Sequence, residues 1–186
     1  MAFPFEPALT APRPTRLRAL GQLAVRLWDQ ALQPVCLHCR IDPEFNHGLC
    51  EQCLQLISFN TICCEICARP LTQNLVCGQC QKNPPFFDRA LTPLLYVDPV
   101  DRFLCGLKYR EQFSFARFAA GVMTDHALNT RQKSPDMICP VPMTAKTLRK
   151  RGFNQSAFIG QLIAWKLAIP MSSNLILKTR ETAHQS

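Results

Sequence analysis

The sequence predicts two kinds of structure in one chain: a pair of metal-stapled ribbons, then an α/β region of mostly parallel sheet with flanking helices. Three observations predict it. Four Cys-x-x-Cys hooks, Cys36/Cys39, Cys50/Cys53, Cys64/Cys67 and Cys77/Cys80, crowd into one stretch of the chain. From residue 89 onward, strand-like apolar runs alternate with runs of helical period. The formal charge of +8 falls wholly on that later part: Met1–Asp88 carries 7 Lys/Arg against 7 Asp/Glu, and Arg89–Ser186 carries 14 against 6. With 47% hydrophobic and 18% charged residues, the chain is too apolar for wholesale disorder. It has no run of about 18 uncharged apolar residues, so no membrane span is expected.

Residues 1–33 read as an N-terminal extension. Pro4, Pro7, Pro12 and Pro14 break its start, and Arg13, Arg16, Arg18 and Arg26 interrupt the apolar positions that follow. That is unlike a secretory signal, so the expected location is cytoplasmic. In that reducing compartment, paired cysteines hold metal more often than they form disulfides. Residues 16–32 predict an amphipathic helix: Leu20, Leu23, Ala24, Leu27 and Ala31 recur at helical spacing behind Thr15 as N-cap.

Residues 34–82 form the cysteine region. Two residues between thiols let a tight turn aim both sulfurs at one ion, and a second hook about ten residues later completes a tetrahedral four-sulfur shell. Few apolar residues separate the hooks, so metal must supply the folding free energy, on the order of 10 kcal/mol per site. The eight cysteines therefore predict two structural Zn2+ ions. Each site adds 2 − 4 = −2, which lowers the formal net charge from +8 to about +4. Sequential pairing (first hook with second, third with fourth) is the simplest arrangement; a cross-braced one has similar loop lengths. Cys63, His38 and His47 are alternative ligands: the two-residue spacing to Cys67 favours Cys64 over Cys63, and eight cysteines already close both shells without a histidine. Closed four-thiolate shells leave no open coordination position, so neither site is expected to be catalytic.

Asn83, Pro84 and Pro85 mark a linker to a domain over residues 88–186. Residues 89–97 predict a strand. Residues 100–110 predict a helix with Phe103, Leu104 and Leu107 on one face. Residues 113–128 predict a second helix with Phe115, Phe118, Ala119, Val122 and Met123 inward. A short apolar strand over 136–141 stops at Pro140 and Pro142. A polar basic loop runs to Phe153, Asn154 caps a helix to about Leu167 with Phe158, Leu162 and Ile163 inward, and 175–177 suggest a last strand. Cys105 and Cys139 lie within these apolar runs and are expected to be buried thiols.

The basic loop is the second chemical signal. It leaves a strand end and enters a helix N-terminus, where ligands sit in open α/β sheets. Lys146, Arg149, Lys150 and Arg151 place four positive charges within six residues, and Gly152 permits close backbone approach. Helix N-terminal amides add partial positive charge. The physics points to a phosphate or pyrophosphate group, or to a nucleic-acid backbone.

The hooks Cys36–Cys80, the run Asn83-Pro84-Pro85-Phe86-Phe87-Asp88, then Leu107-Lys108-Tyr109, Pro140-Val141-Pro142, Arg151-Gly152-Phe153-Asn154-Gln155 and Thr179-Arg180-Glu181-Thr182-Ala183-His184-Gln185 stand in the order seen in the ComF family. The chain resembles that family, which includes competence and DNA-utilisation proteins of amidophosphoribosyltransferase type, over roughly residues 34–186. The resemblance implies a double zinc ribbon followed by a type I phosphoribosyltransferase fold. It also implies that Pro140-Val141-Pro142 matches the pyrophosphate-side loop. Lys146, Arg149, Arg151, Gly152, Asn154 and Gln155 then belong to the loop that closes over phosphoribosyl pyrophosphate, with Mg2+ bridging ribose and pyrophosphate. The same family places a strand with two adjacent acidic residues and a Thr/Gly-rich turn around the ribose 5-phosphate; no Asp-Asp, Glu-Asp or Gly-Thr pair occurs in the 186 residues. The expectation is thus a C-terminally shortened, incomplete phosphoribosyltransferase-like domain, not a competent transferase as it stands, with no catalytic residue and with Mg2+ relevant only to a complete site. Single-stranded DNA and a competence-machinery protein are the other expected partners.

Overall fold

In the computed structural model, the residues described are 35–42, 46–73, 75–130 and 134–180. They all fall in one compact unit that begins at Val35. The predicted helix at 16–32 lies outside the described residues, as do Thr182 and Gln185.

The two ribbons are built alike. In each, the first hook turns through a left-handed residue placed after its second cysteine, Arg40 (φ 58°) and Ala68 (φ 56°). The amide of that residue donates to the carbonyl of the first cysteine of the hook, Arg40 N to Cys36 O and Ala68 N to Cys64 O, both at 2.9 Å. The second hook starts a short helix: α1, Glu51–Leu54, behind Cys50, and α2, Gly78–Lys82, behind Cys77. In the first ribbon the hooks are joined by a two-residue hairpin, with Asn46 and Leu49 exchanging both backbone hydrogen bonds. Its central residues His47 (φ 53°) and Gly48 (φ 112°) both have positive φ, as a type I′ turn demands.

Three longer helices follow. α3, Val100–Arg110, buries Val100, Phe103, Gly106 and Leu107 and ends at Glu111 with φ 54°. α4, Ser114–Asn129, buries Phe115, Phe118 and a run of small residues, Ala116, Ala119, Ala120 and Gly121. α6, Gln155–Leu167, buries Gly160 and Ala164. α4 packs on both α3 and α6. The ring contacts Phe103–Phe115 (5.9 Å) and Phe115–Phe118 (6.2 Å) run through the core. Each fully buried Phe or Leu contributes about 1.5–3 kcal/mol of burial free energy.

The predicted helices over 100–110 and 155–167 are present, and that over 113–128 is shifted by one residue at each end. Other expectations are corrected. The expected basic loop contains a short helix, α5, Ala145–Arg151, with no buried residue. No strand ladder forms among the described residues, so the expected parallel sheet is not seen there. Residues 89–97 instead run beside 58–60 through one antiparallel bridge, Phe59 with Leu94. Residues 136–141 make a single parallel bridge, Ile138 with Met171, in which Ile138 N donates to Pro170 O and Ser172 N donates to Ile138 O. Residues 175–177 are exposed and unbridged, at 63%, 54% and 77%. Proline explains much of this: Pro93, Pro140, Pro142 and Pro170 lack the amide a ladder needs. Cys105, expected buried, is exposed on α3, and Cys139 is half-buried. Phe158 lies at the surface, 37% exposed, with its ring against Phe113 at 5.0 Å.

Candidate metal centres and a basic segment

The structure gathers the eight hook cysteines into two groups, Cys36/Cys39/Cys50/Cys53 and Cys64/Cys67/Cys77/Cys80, with all four sulfurs of each within 4.8 Å of one another. This is the sequential pairing; the cross-braced alternative is not the one formed. Neighbouring sulfurs sit at 3.9 Å (Cys39 to Cys50) and 3.7 Å (Cys67 to Cys77). Four thiolates at about 2.3 Å from a zinc ion stand about 3.8 Å apart along the edges of a tetrahedron. Both clusters therefore have the donor set and spacing of a closed four-sulfur metal site.

Their electrostatics favour a cation. Burial raises the Cys36 thiol, but the backbone amides of Cys50, Cys39 and His38 outweigh it and bring it down to about 6. The amides of Cys67 and Cys77 pull Cys64 to about 6 against burial, and Cys77 N lies 3.3 Å from Cys64 Sγ. Burial, then the neighbouring thiols Cys50, Cys36 and Cys39, push Cys53 up to about 12. Cys80 goes up to about 12 in the same way, through burial and then Cys67, Cys77 and Cys64. Each cluster thus holds at least one thiol that ionises readily and at least one that resists, the latter through burial first and then the crowding of sulfurs in one small space. A divalent ion at the centre removes that conflict.

None of the alternative ligands joins a cluster. Cys63 lines a groove outside the second one. His38 packs edge-on against Phe103 at 5.6 Å. His47 ties the first ribbon to α4: its Nε2 lies 2.6 Å from Asp125 Oδ2, and its ring presses on the backbone at Gly121, where a Cβ would come within 2.3 Å of it. Sequence reasoning missed this contact, which joins residues 78 positions apart.

The basic segment is more structured than a loop. Thr144 Oγ1 accepts from Thr147 N at 3.2 Å and starts α5. Gly152, at φ 82°, ends it, donating its amide to Leu148 O at 2.7 Å; a side chain at that left-handed position would be strained. Lys146, Arg149 and Lys150 are exposed on α5. Arg151 turns the other way. Its guanidinium lies over the Tyr109 ring at 5.5 Å, and its Nη1 donates to Gln155 Oε1 at 3.0 Å. Asn154 Oδ1 accepts from Ser156 N (2.9 Å) and Ala157 N (3.3 Å), so it caps α6 through the amides an anion was expected to use. Its Nδ2 donates to Val141 O at 2.9 Å, fastening the segment to Pro140-Val141-Pro142. Phe153 packs on Phe113 at 5.1 Å and against the main core. Of the six expected substrate residues, Lys146 and Arg149 face outward, while Arg151, Gly152, Asn154 and Gln155 hold the segment in shape.

No helix of the described residues is long and apolar enough to cross a membrane. The described molecule is a helical core joined to two four-cysteine clusters able to hold metal, with a basic segment attached. That description agrees with the relatives found by sequence. The chain is 26% identical to competence protein F of Haemophilus influenzae over 155 residues, covering 81% of this chain and 68% of that protein. It is 29% identical over 157 residues to the DNA utilization protein YhgH of Salmonella typhi, covering 81% and 69%. Against the Escherichia coli O157:H7 protein of that name, identity is 30% over 112 residues, 58% of this chain and 49% of that protein. No family model and no solved structure matches it. These relatives support the resemblance to the ComF family.

Proposed function

We propose that the protein serves DNA uptake or utilisation, with two structural zinc ions holding the ribbons and a phosphate-bearing ligand meeting the segment Lys146–Gln155. The observation that carries the reading is the similarity, over 81% of the chain, to a competence protein and a DNA utilization protein. The exposed Lys146, Arg149 and Lys150 on α5 support a phosphate ligand. The parallel bridge Ile138–Met171, crossed over by α5 and α6, fits a phosphoribosyltransferase-like arrangement. The metal-capable groups among the described residues are the two cysteine clusters, and no Mg2+-dependent transfer step is assigned to this chain.

A second reading, single-stranded DNA as the ligand itself, is favoured by Tyr109. Strand readers pair basic side chains with aromatic platforms. Phe153 is partly buried against the core, whereas Tyr109 is 68% exposed beside Arg151. Calorimetry with phosphoribosyl pyrophosphate and Mg2+ tests the first reading: micromolar, Mg2+-dependent binding would make these residues a transferase site and overturn the non-catalytic one. Gel shifts with single-stranded DNA at two salt concentrations test the second. The expected result is a shift at low salt that weakens in the Lys146→Ala/Arg149→Ala/Lys150→Ala variant, with a shallower salt dependence by roughly 0.7 per lost phosphate contact. No shift at low salt ends the DNA reading.

A further inference from the structure

We infer that the second cysteine cluster is the exchangeable metal centre of the protein and the first is the locked one. The inference rests on the reading that both clusters hold zinc. Two features separate them. The first is packing. Cys36, Cys50 and Cys53 belong to the main core and share it with Leu49, Ile57, Phe103, Leu107, Phe115 and Phe118. Prising that shell open exposes the packed faces of α3 and α4 as well. Cys64, Cys77 and Cys80 form their own small cluster, backed only by the partly buried Ile66, Cys67, Leu71 and Val76. A local opening of residues 64–80 exposes the second shell and leaves the helices intact.

The second feature is access. A groove of about 370 Å³ runs beside the second cluster, and its wall includes Cys64 itself together with Asn60, Cys63, Arg89 and His126. Cys64 is itself buried, 1% exposed, so the groove brings an incoming ligand up to the ribbon and the sulfurs become reachable when residues 64–80 open. Exchange there is a substitution without change of oxidation state. The incoming donor bonds to zinc as one zinc–thiolate bond breaks, the released thiolate takes a proton from water, and repetition passes the ion to the acceptor. Any metal acceptor with compact nitrogen or sulfur donors meets these requirements.

The test uses the full chain carrying two zinc ions, mixed with excess 4-(2-pyridylazo)resorcinol while absorbance is followed. The expected record has two phases of one zinc each, the first at least about tenfold faster than the second. A pulse of iodoacetamide after the first phase, mapped by mass spectrometry, should label Cys64, Cys67, Cys77 and Cys80 and spare Cys36, Cys39, Cys50 and Cys53, with exposed Cys105 as the labelling control. A single phase releasing both ions overturns the inference, as does first-phase labelling of the Cys36–Cys53 cluster. Protein that binds no zinc at either cluster contradicts the metal reading itself, a distinct result.

Discussion

Cys36, Cys50 and Cys53 sit among Phe103, Leu107, Phe115 and Phe118, whereas Cys64, Cys77 and Cys80 are backed by Ile66, Cys67, Leu71 and Val76 alone. The two ribbons share hook spacing, left-handed knuckles and a short helix after the second hook, yet differ in what surrounds them. A ligand motif fixes how sulfurs converge; the neighbouring surface decides whether the site is part of a larger core or a staple on its own. In the first ribbon that neighbouring surface is α3 and α4, and the His47–Asp125 contact adds a polar tie to the apolar one.

The largest expected effect separates the ribbons directly. Cys53→Ser should abolish cooperative unfolding and most of the helical circular dichroism, since it removes a site contributing on the order of 10 kcal/mol that is shared with the helices. Cys80→Ser should keep the helical signal and bind one zinc per chain instead of two. Equal damage from both substitutions would contradict the asymmetry. Next in size are the packing substitutions. Phe118→Ala should cost about 3–5 kcal/mol in denaturant titration, while Val76→Ala, at a partly buried site beside the second cluster, should cost about 1 kcal/mol.

Gly121→Ala should cost about 1–3 kcal/mol, because the added Cβ meets the His47 ring. Combining it with His47→Ala should cost less than the sum of the two alone, and strict additivity in that cycle would show that the ring is not what the methyl strikes. The smallest effect is Asn154→Ala, about 1 kcal/mol from the lost cap of α6 and read as a lowered melting temperature.

Much of the fold is legible locally. Val100–Arg110 and Gln155–Leu167 show helical periodicity, and Asn154 is a cap by residue type and position. The same periodicity places Cys105 about 200° around the helix from Phe103, on the polar side, so its exposure was available in the pattern. Helix α5 was also available, in Thr144 as cap and Gly152 as stop, but its charge run reads as a loop when charge is weighed before capping. The strands are a different case. Apolar runs at 89–97 and 136–141 meet the compositional test for strands, yet a strand exists only where another segment supplies its ladder, and the prolines remove donors from it.

The sequence by itself determined which eight sulfurs converge, because hook spacing is a local property of the turn, and where three of the longer helices run, because amphipathic period and caps are local too. Tertiary structure decided the pairing of hooks, the tie of His47 to Asp125 across 78 residues, the stacking of Arg151 on Tyr109 and the packing of Phe153 against the core. Each of these depends on surfaces meeting that are distant in the chain. Chain distance carries no local signal, and burial against a partner, not residue type, sets whether a basic or aromatic side chain is left for a ligand or used for the fold.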